Sequence, residues 1–142
     1  MRTVLLAEDS PSDVKLFQLA CADAFGPGSR IQVVSDGKEA LDYLHQRGEY
    51  EGVDLPKLVI LDVNMPRVGG LDVLAQMKED AELKAIPVIV LSSGAAESDI
   101  AKAYAIGACC YVRKPLDFSA FEQTCKAIAR FWMGTVTLPA ET

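Results

Sequence analysis

Polar side chains that could cooperate in one reaction stand at the ends of short apolar runs in this sequence. They are two adjacent acids, a third acid, a hydroxyl and an ammonium: Glu8, Asp9, Asp62, Ser92 and Lys114. Three carboxylates held close together resist being ionised at once, and a divalent cation removes that conflict. Oxygen ligands suit Mg²⁺, which often shares its coordination shell with a phosphate. These residue types therefore indicate a metal-assisted site in which an aspartate accepts a phosphoryl group.

The apolar runs have the composition of buried strands. Continuous apolar segments are typical of parallel strands that are covered on both faces, and the predicted strands are residues 3–7, 31–35, 58–61, 87–91 and 108–112. A helical pattern follows each predicted strand. The first begins near Ser10, and the others cover residues 38–47, 71–78, 97–106 and 117–132. In a parallel sheet the carboxyl ends of the strands meet at one edge, so the polar residues are expected to share a crevice there.

Five alternations of strand and helix predict a doubly wound α/β fold, with a five-stranded parallel sheet of the flavodoxin-like (βα)5 type. The length of 142 residues favours a single domain, with a core over residues 2–133, a short tail over 134–142 and no output domain. Buried helical stripes are predicted at Val14, Phe17, Cys21 and Ala24 in the first helix, and at Phe118, Phe121, Cys125, Ile128 and Trp132 in the last.

The composition argues against several classes of function. A formal net charge of −6 disfavours a nucleic-acid-binding surface as the main activity. No apolar run approaches the length that crosses a bilayer, and no signal segment opens the chain, so we expect a cytoplasmic protein without a membrane partner. The four cysteines lie in apolar stretches without a CxxC pair, which favours small buried hydrophobic residues over metal or disulfide roles.

The motifs around the polar residues resemble those of a known family. They are LLAEDSPSD (residues 5–13), LDVNMPRVGG (61–70), VLSSGA (90–95) and YVRKPL (111–116), and they span nearly the whole chain. In order and approximate spacing they resemble the receiver domain of bacterial two-component response regulators, the CheY-like proteins. The resemblance implies that Asp62 is the phosphoacceptor for a sensor histidine kinase. It also implies a domain that assists only its own phosphorylation and dephosphorylation, and is not a turnover enzyme.

The resemblance implies a role for each residue of the metal site. Asp9 is then a direct Mg²⁺ ligand together with Asp62, Glu8 acts mostly through water, and Asn64 contributes its backbone carbonyl. Mn²⁺ or Ca²⁺ is expected to substitute for Mg²⁺.

The same resemblance implies a conformational switch. Ser92 matches the hydroxyl that moves toward the phosphoryl group, and Tyr111 matches the aromatic residue that turns inward as it does so. Lys114 matches the lysine of the family motif, and the bond from Lys114 to Pro115 is typically cis there.

More narrowly, the chain resembles the stand-alone regulators that are paired with bacterial phytochromes. The loop before the third strand, the SSGAAESDI run and the FW…TVTLP ending carry this likeness. It implies a bacteriophytochrome-type kinase as partner, and a homodimer formed through the face that contains the last helix. The expected output is protein–protein contact that depends on phosphorylation.

Some apolar residues fall outside the predicted stripes. We expect Leu16 and Leu19 to help dock the kinase, and Phe131 with the Val136 and Leu138 tail to help form the dimer. Singly exposed apolar residues are also normal on protein surfaces, so this assignment remains a hypothesis.

Two other classes of function are compatible with parts of the pattern. A phosphatase of the haloacid-dehalogenase type also uses aspartate, hydroxyl and lysine around Mg²⁺, but its nucleophile lies on the first strand in a DxD motif. Here the candidate lies on the third strand and reads Asp62-Val63-Asn64. A flavodoxin-like FMN-binding module would suit the fold, but no Ser/Thr/Gly phosphate loop follows the first strand.

Overall fold

The computed structural model describes residues 2–22, 28–93 and 96–139. The strands are Arg2–Ala7 (β1), Ser29–Val34 (β2), Leu58–Leu61 (β3), Val88–Ser92 (β4) and Cys110–Arg113 (β5). The helices are Pro11–Cys21 (α1), Gly37–Leu44 (α2), Gly70–Glu79 (α3), Glu97–Ile106 (α4) and Phe118–Arg130 (α5). A short 3-10 turn at Gly48–Tyr50 precedes β3, and a wide helical turn at Phe131–Thr135 continues α5.

The sheet is parallel throughout, with the strand order β2-β1-β3-β4-β5. The predicted five-stranded, doubly wound fold is confirmed. The chain leaves β1 toward β2 on one side and later returns to β3 on the other side. A crevice opens at this reversal, at the carboxyl ends of β1 and β3. Ala7 pairs with Leu61 in the register, so the residues that follow these two strands emerge beside each other.

The core has two layers because successive residues of a strand face opposite sides of the sheet. Leu5 and Ala7 pack with α2, α3 and α4, whereas Val4 and Leu6 pack with α1 and α5. All four side chains are at most 2% exposed. Residues 4–7, 58–61 and 88–91 of the three central strands are therefore apolar throughout, and polar residues follow them directly at the crevice.

Side-chain caps set where several helices begin. Ser10 accepts a hydrogen bond from the Asp13 N–H at 3.4 Å, and Pro11 occupies the first position of α1. Asp36 accepts from the Glu39 N–H at 2.8 Å at the start of α2. These caps fix the chain directly after β1 and β2, beside the crevice.

Two predictions about the burial of apolar side chains on α1 and α5 are wrong. Phe118 is 68% exposed because α5 begins at this residue, beyond the layer that covers the sheet. Leu16, which was expected on the surface, is 6% exposed because it packs where α1 meets α5. Leu19 is exposed as expected.

The tail differs from the expected surface segment. The wide turn at Phe131–Thr135 redirects the chain, and Leu138 is buried in the core layer of α1 and α5. Leu138 therefore cannot contribute an exposed side chain to a dimer, whereas Phe131 remains half exposed.

Three further expectations have mixed outcomes. Cys21 and Cys125 are buried, but Cys109 is exposed because it precedes the short edge strand β5. No cis peptide bond occurs in the described residues, so the expected cis bond between Lys114 and Pro115 is not found. Ala24 lies outside the described residues.

In the described part of the chain, no helix is both long enough and apolar enough to cross a membrane.

Candidate functional site

Asp62 directly follows β3, and its carboxylate is fixed through both oxygen atoms. The Asn64 N–H donates to Oδ1 at 3.0 Å, and the Lys114 ammonium donates to Oδ2 at 3.2 Å. The backbone N–H of Asp62 extends the sheet pairing by donating to the Ala7 carbonyl at 3.0 Å. The side chain is 7% exposed, so the carboxylate lies at the floor of the crevice.

Two more acids approach Asp62 from the end of β1. Carboxylate oxygens of Glu8, Asp9 and Asp62 lie within 4.8 Å of one another. Glu8 and Asp62 are buried, whereas Asp9 is exposed at the opening. Such a set of hard oxygen donors, with part of its shell open to water, fits a divalent cation of the Mg²⁺ class. Glu8, Asp9 and Asp62 are the carboxylates that could hold it, and the part of the Asn64 carbonyl stays a prediction.

Lys114 reaches the same crevice from the end of β5. Its backbone N–H donates to the Ser92 carbonyl at 2.9 Å, which holds this segment against β4. Its ammonium contacts Glu8, lies 3.1 Å from Asp13 and lies 3.2 Å from Asp62. The side chain is 7% exposed, so one buried cation is shared by three carboxylates.

The pKa values of this cluster follow from burial and charge. Burial raises the pKa of Glu8 to about 7, with Asp62 acting in the same direction and the Lys114 hydrogen bond opposing it. Burial by itself lowers the pKa of Lys114, but the carboxylates of Glu8, Asp62 and Asp13 raise it above its ordinary value. The ammonium therefore stays charged, and burial makes Glu8 easier to protonate than an ordinary glutamate.

The two predicted switch residues lie on β4 and β5. Ser92 ends β4 at the crevice edge and is fully buried. Tyr111 lies within β5 and packs partly against the layer of α2, α3 and α4. Its backbone N–H donates to the Tyr104 hydroxyl oxygen at 3.1 Å, which ties β5 to α4. The parts that these two residues play in a switch remain predictions.

The loop that follows Asp62 packs very closely on its surroundings. A Cβ atom at Gly70 would lie 2.0 Å from the Asp62 carbonyl oxygen, so only glycine fits there. Arg67 has a left-handed backbone, with φ of 68°, and its guanidinium lies 2.7 Å from the Asp36 carboxylate. A Cβ atom at Gly37 would lie 1.8 Å from the Val68 carbonyl oxygen. The turn between β2 and α2 therefore clamps the middle of this loop.

Sequence reasoning missed the partners that support the site. The motifs indicated no role for Asp13, although its position four residues after Asp9 placed it near the strand end. Nothing local in the sequence pairs Asp36 with Arg67, because 31 positions separate them. Such a contact follows only from the order of the strands in the sheet.

The fold and the acid–lysine crevice define a class of signalling domain. A family model described as the response regulator receiver domain matches residues 4–126. The chain belongs to this family, as its motifs predicted, and its acidic cluster is consistent with divalent-metal binding.

Particular relatives resemble almost the whole chain. Response regulator Rcp1 of Synechocystis sp. is 37% identical over 139 residues, which is 98% of this chain and 94% of that protein. The crystal structure of its Mn²⁺-bound form has a TM-score of 0.94 at 36% identity, covering 99% of this chain and 100% of that chain. The phosphorylated cyanobacterial phytochrome response regulator RcpA has a TM-score of 0.94 at 41% identity, covering 98% of this chain and 99% of that chain. A probable methanogenesis regulatory protein, FilR2 of Methanothrix harundinacea, is 38% identical over 133 residues, or 92% of this chain and 83% of that protein.

Proposed function

We propose that this receiver accepts a phosphoryl group on Asp62 from the phosphohistidine of a sensor kinase. An Asp62 carboxylate oxygen attacks phosphorus, the bond from phosphorus to the histidine nitrogen breaks, and an acyl phosphate forms. The observation that carries the proposal is the position of Asp62, between the acid pair that follows β1 and the ammonium that follows β5.

The surrounding residues orient the acceptor and balance its charge. Glu8, Asp9, Asp62 and the Asn64 carbonyl would hold a divalent cation, which would supply positive charge to the transferred phosphoryl oxygens. Lys114 supplies a second positive charge from the other side, and Ser92 donates a hydrogen bond after transfer. Transfer of this kind needs positioning and charge stabilisation without a separate general base, so we propose no turnover activity for the chain.

The proposed donor is a phytochrome-type sensor histidine kinase. The support is the likeness to RcpA, which is described as a phytochrome response regulator, and the likeness to Rcp1. We propose the groove of 320 Å³ between α1 and the start of α5 as its docking surface, because Leu19 and Phe118 are both 68% exposed there. Leu16 forms part of the groove instead of projecting from it.

The proposed output is protein contact that changes with phosphorylation. A homodimer through the face of α5 would cover Phe131, which is 52% exposed and contacts Trp132 edge to face at 5.6 Å. Leu138 takes no part because it is buried within its own chain. The proposal places this signalling in the cytoplasm, where sensor-kinase transmitter regions act.

Phosphotransfer to Asp62 tests the proposal directly. The wild type and Asp62→Asn are incubated with Mg²⁺ and acetyl phosphate, and separately with an autophosphorylated phytochrome-type kinase, and intact mass is measured. We expect one phosphoryl group on the wild type, none on Asp62→Asn, and none when the cation is chelated. Labelling that survives the Asp62→Asn substitution would overturn the assignment of the acceptor.

Docking and dimer formation have separate tests. Leu19→Ala and Phe118→Ala should slow transfer from the kinase at least about tenfold while leaving transfer from acetyl phosphate unchanged.

Phe131→Ser should lower the dimer fraction in sedimentation at micromolar concentration. A wild type that is strictly monomeric, both with and without phosphoryl group, would contradict the dimer.

A further inference from the structure

We propose that Asp13 is a positioning residue. It holds the Lys114 ammonium away from the cation site when Glu8 and Asp62 bind a divalent cation. The inference rests on the proposed function of Asp62. It gives a specific task to a carboxylate that takes no part in the group of metal-binding oxygens.

The ammonium of Lys114 uses all of its donors on carboxylates. An ammonium has three N–H groups, and this one contacts Glu8, Asp13 and Asp62. Its side chain is only 7% exposed, so water cannot readily replace a lost partner. Any change in one of the three contacts must therefore be taken up by the other two.

Two of these partners are also the groups that would bind the cation. Glu8 and Asp62 belong to the oxygen cluster that lies within 4.8 Å, and Asp13 does not. A divalent ion and an ammonium on the same oxygen atoms repel each other, so their binding is competitive. Asp13 is the one carboxylate partner of Lys114 that stays available when the ion is bound.

The backbone holds Asp13 in place for this task. Its N–H donates to the Ser10 hydroxyl at 3.4 Å, and the Ser10 N–H donates to Glu8 Oε1 at 3.2 Å. The segment from Glu8 to Asp13 therefore folds so that the carboxylates of both residues contact Lys114. Asp13 also lies in the first turn of α1, where the helix dipole interacts favourably with a negative charge.

Cation affinity measured in two backgrounds separates this role from a simple effect of charge. Mg²⁺ binding is titrated by calorimetry for wild type, Asp13→Asn, Lys114→Met and the double variant. We expect Asp13→Asn to weaken Mg²⁺ binding about five- to tenfold in the wild-type background and less than twofold in the Lys114→Met background. Asp13→Glu should recover most of the affinity because it keeps the carboxylate.

A matched control removes the same charge elsewhere. Asp99 also lies in the first turn of a helix, α4, so Asp99→Asn should leave the Mg²⁺ affinity within twofold of the wild type. If Lys114→Met fails to fold, as judged by circular dichroism, Lys114→Gln replaces it in the same cycle.

Each outcome decides the inference. An equal loss in both backgrounds would mean that Asp13 acts on the cation through its own charge, and it would overturn the role through Lys114. An unchanged affinity of Asp13→Asn in the wild-type background would overturn it as well. Acetyl-phosphate labelling of the wild type is followed in parallel, so a failure of phosphoryl acceptance at Asp62 is recognised separately from a failure of this inference.

Discussion

On one side of Asp62, the loop from Asn64 to Gly70 is held by close backbone packing and by one ion pair, from Arg67 to Asp36. On the other side, a long side chain from a distant strand is held by charges alone. We call the first the loop side and define it by Asp36, Gly37, Arg67 and Gly70. The second is the lysine side, and it comprises Glu8, Asp13 and Lys114.

The difference between the two sides indicates a division of labour. Backbone packing cannot change without moving whole elements, because protein interiors are densely filled. An ammonium shared among three carboxylates can instead redistribute its contacts when charge in the crevice changes. The loop side therefore fixes the position of the acceptor Asp62. The lysine side changes its ion-pair contacts when a cation or a phosphoryl group binds.

The largest effect is expected from Gly70→Ala on the loop side. The added Cβ would lie 2.0 Å from the Asp62 carbonyl oxygen, and backbone, not a flexible side chain, would have to move. We expect the free energy of unfolding to fall by about 3 kcal/mol in urea denaturation, although alanine is otherwise the better helix former.

Gly134→Ala is the matched control for this substitution. No atom lies within 4 Å of a Cβ at Gly134, so the free energy of unfolding should stay within about 0.5 kcal/mol of the wild type. A Gly70→Ala protein as stable as the control would show that the loop side is not rigid.

The tight packing at Gly70 also shows how far sequence alone could go. The motifs predicted the strands, the order of the polar residues and the shared crevice, because the apolar runs 4–7, 58–61 and 88–91 are each followed directly by a polar residue. They could not predict the contact of Gly37 with Val68, or of Asp36 with Arg67. Those contacts depend on how two loops from different strands meet, and no periodic pattern encodes such a meeting.

The errors on α5 have a similar origin. Helical spacing alone placed Phe118 on the same stripe as Phe121, although α5 begins at Phe118 and leaves it beyond the sheet. The burial of Leu138 depends on the wide turn after Arg130, which the sequence signals only weakly. Helical spacing predicts which face of a helix is apolar, but it does not predict how far along the helix neighbouring elements cover that face.

The second prediction concerns the pH dependence of the lysine side in the absence of cations. The folded pKa of Glu8 is raised from 4.5 to about 7, so the folded state binds the proton more tightly than the unfolded state does. The stability that this provides is complete below pH 4.5 and is lost as the pH rises to about 7. Glu8→Gln lacks this dependence, so it should gain about 1–2 kcal/mol relative to the wild type between pH 5 and 8.

Urea denaturation at several pH values, with the cation chelated, measures this difference. Glu122→Gln, on a half-buried position of α5 away from the crevice, serves as the control, and its difference from the wild type should vary less than that of Glu8→Gln. A constant difference between Glu8→Gln and the wild type would mean that Glu8 is ionised throughout. Lys114 would then dominate its environment.

A third, smaller effect is expected at Arg67, whose backbone has a left-handed conformation with φ of 68°. Arg67→Ala and Arg67→Gly both remove the ion pair with Asp36, but only glycine adopts this backbone without steric cost. Glycine also loses more conformational entropy on folding, which offsets part of that advantage. We expect Arg67→Gly to be more stable than Arg67→Ala by about 0.5–1 kcal/mol in urea denaturation. The reverse order would show that the ion pair had forced this conformation and that the loop relaxes once it is gone.

The smallest effect distinguishes the two sides by their response to salt. Asp36→Asn keeps an oxygen that can accept from the Glu39 N–H, so a double-mutant cycle with Arg67→Gln isolates the ion pair. Because the Arg67 side chain is 58% exposed, we expect a coupling of about 0.5 kcal/mol at low salt that disappears in about 1 M NaCl. The corresponding cycle for Asp13 and Lys114 should retain its coupling in salt, since the lysine side chain is 7% exposed. If both couplings respond to salt in the same way, the charges of the two sides share one kind of environment, and only the glycine contacts separate the rigid side from the adjustable one.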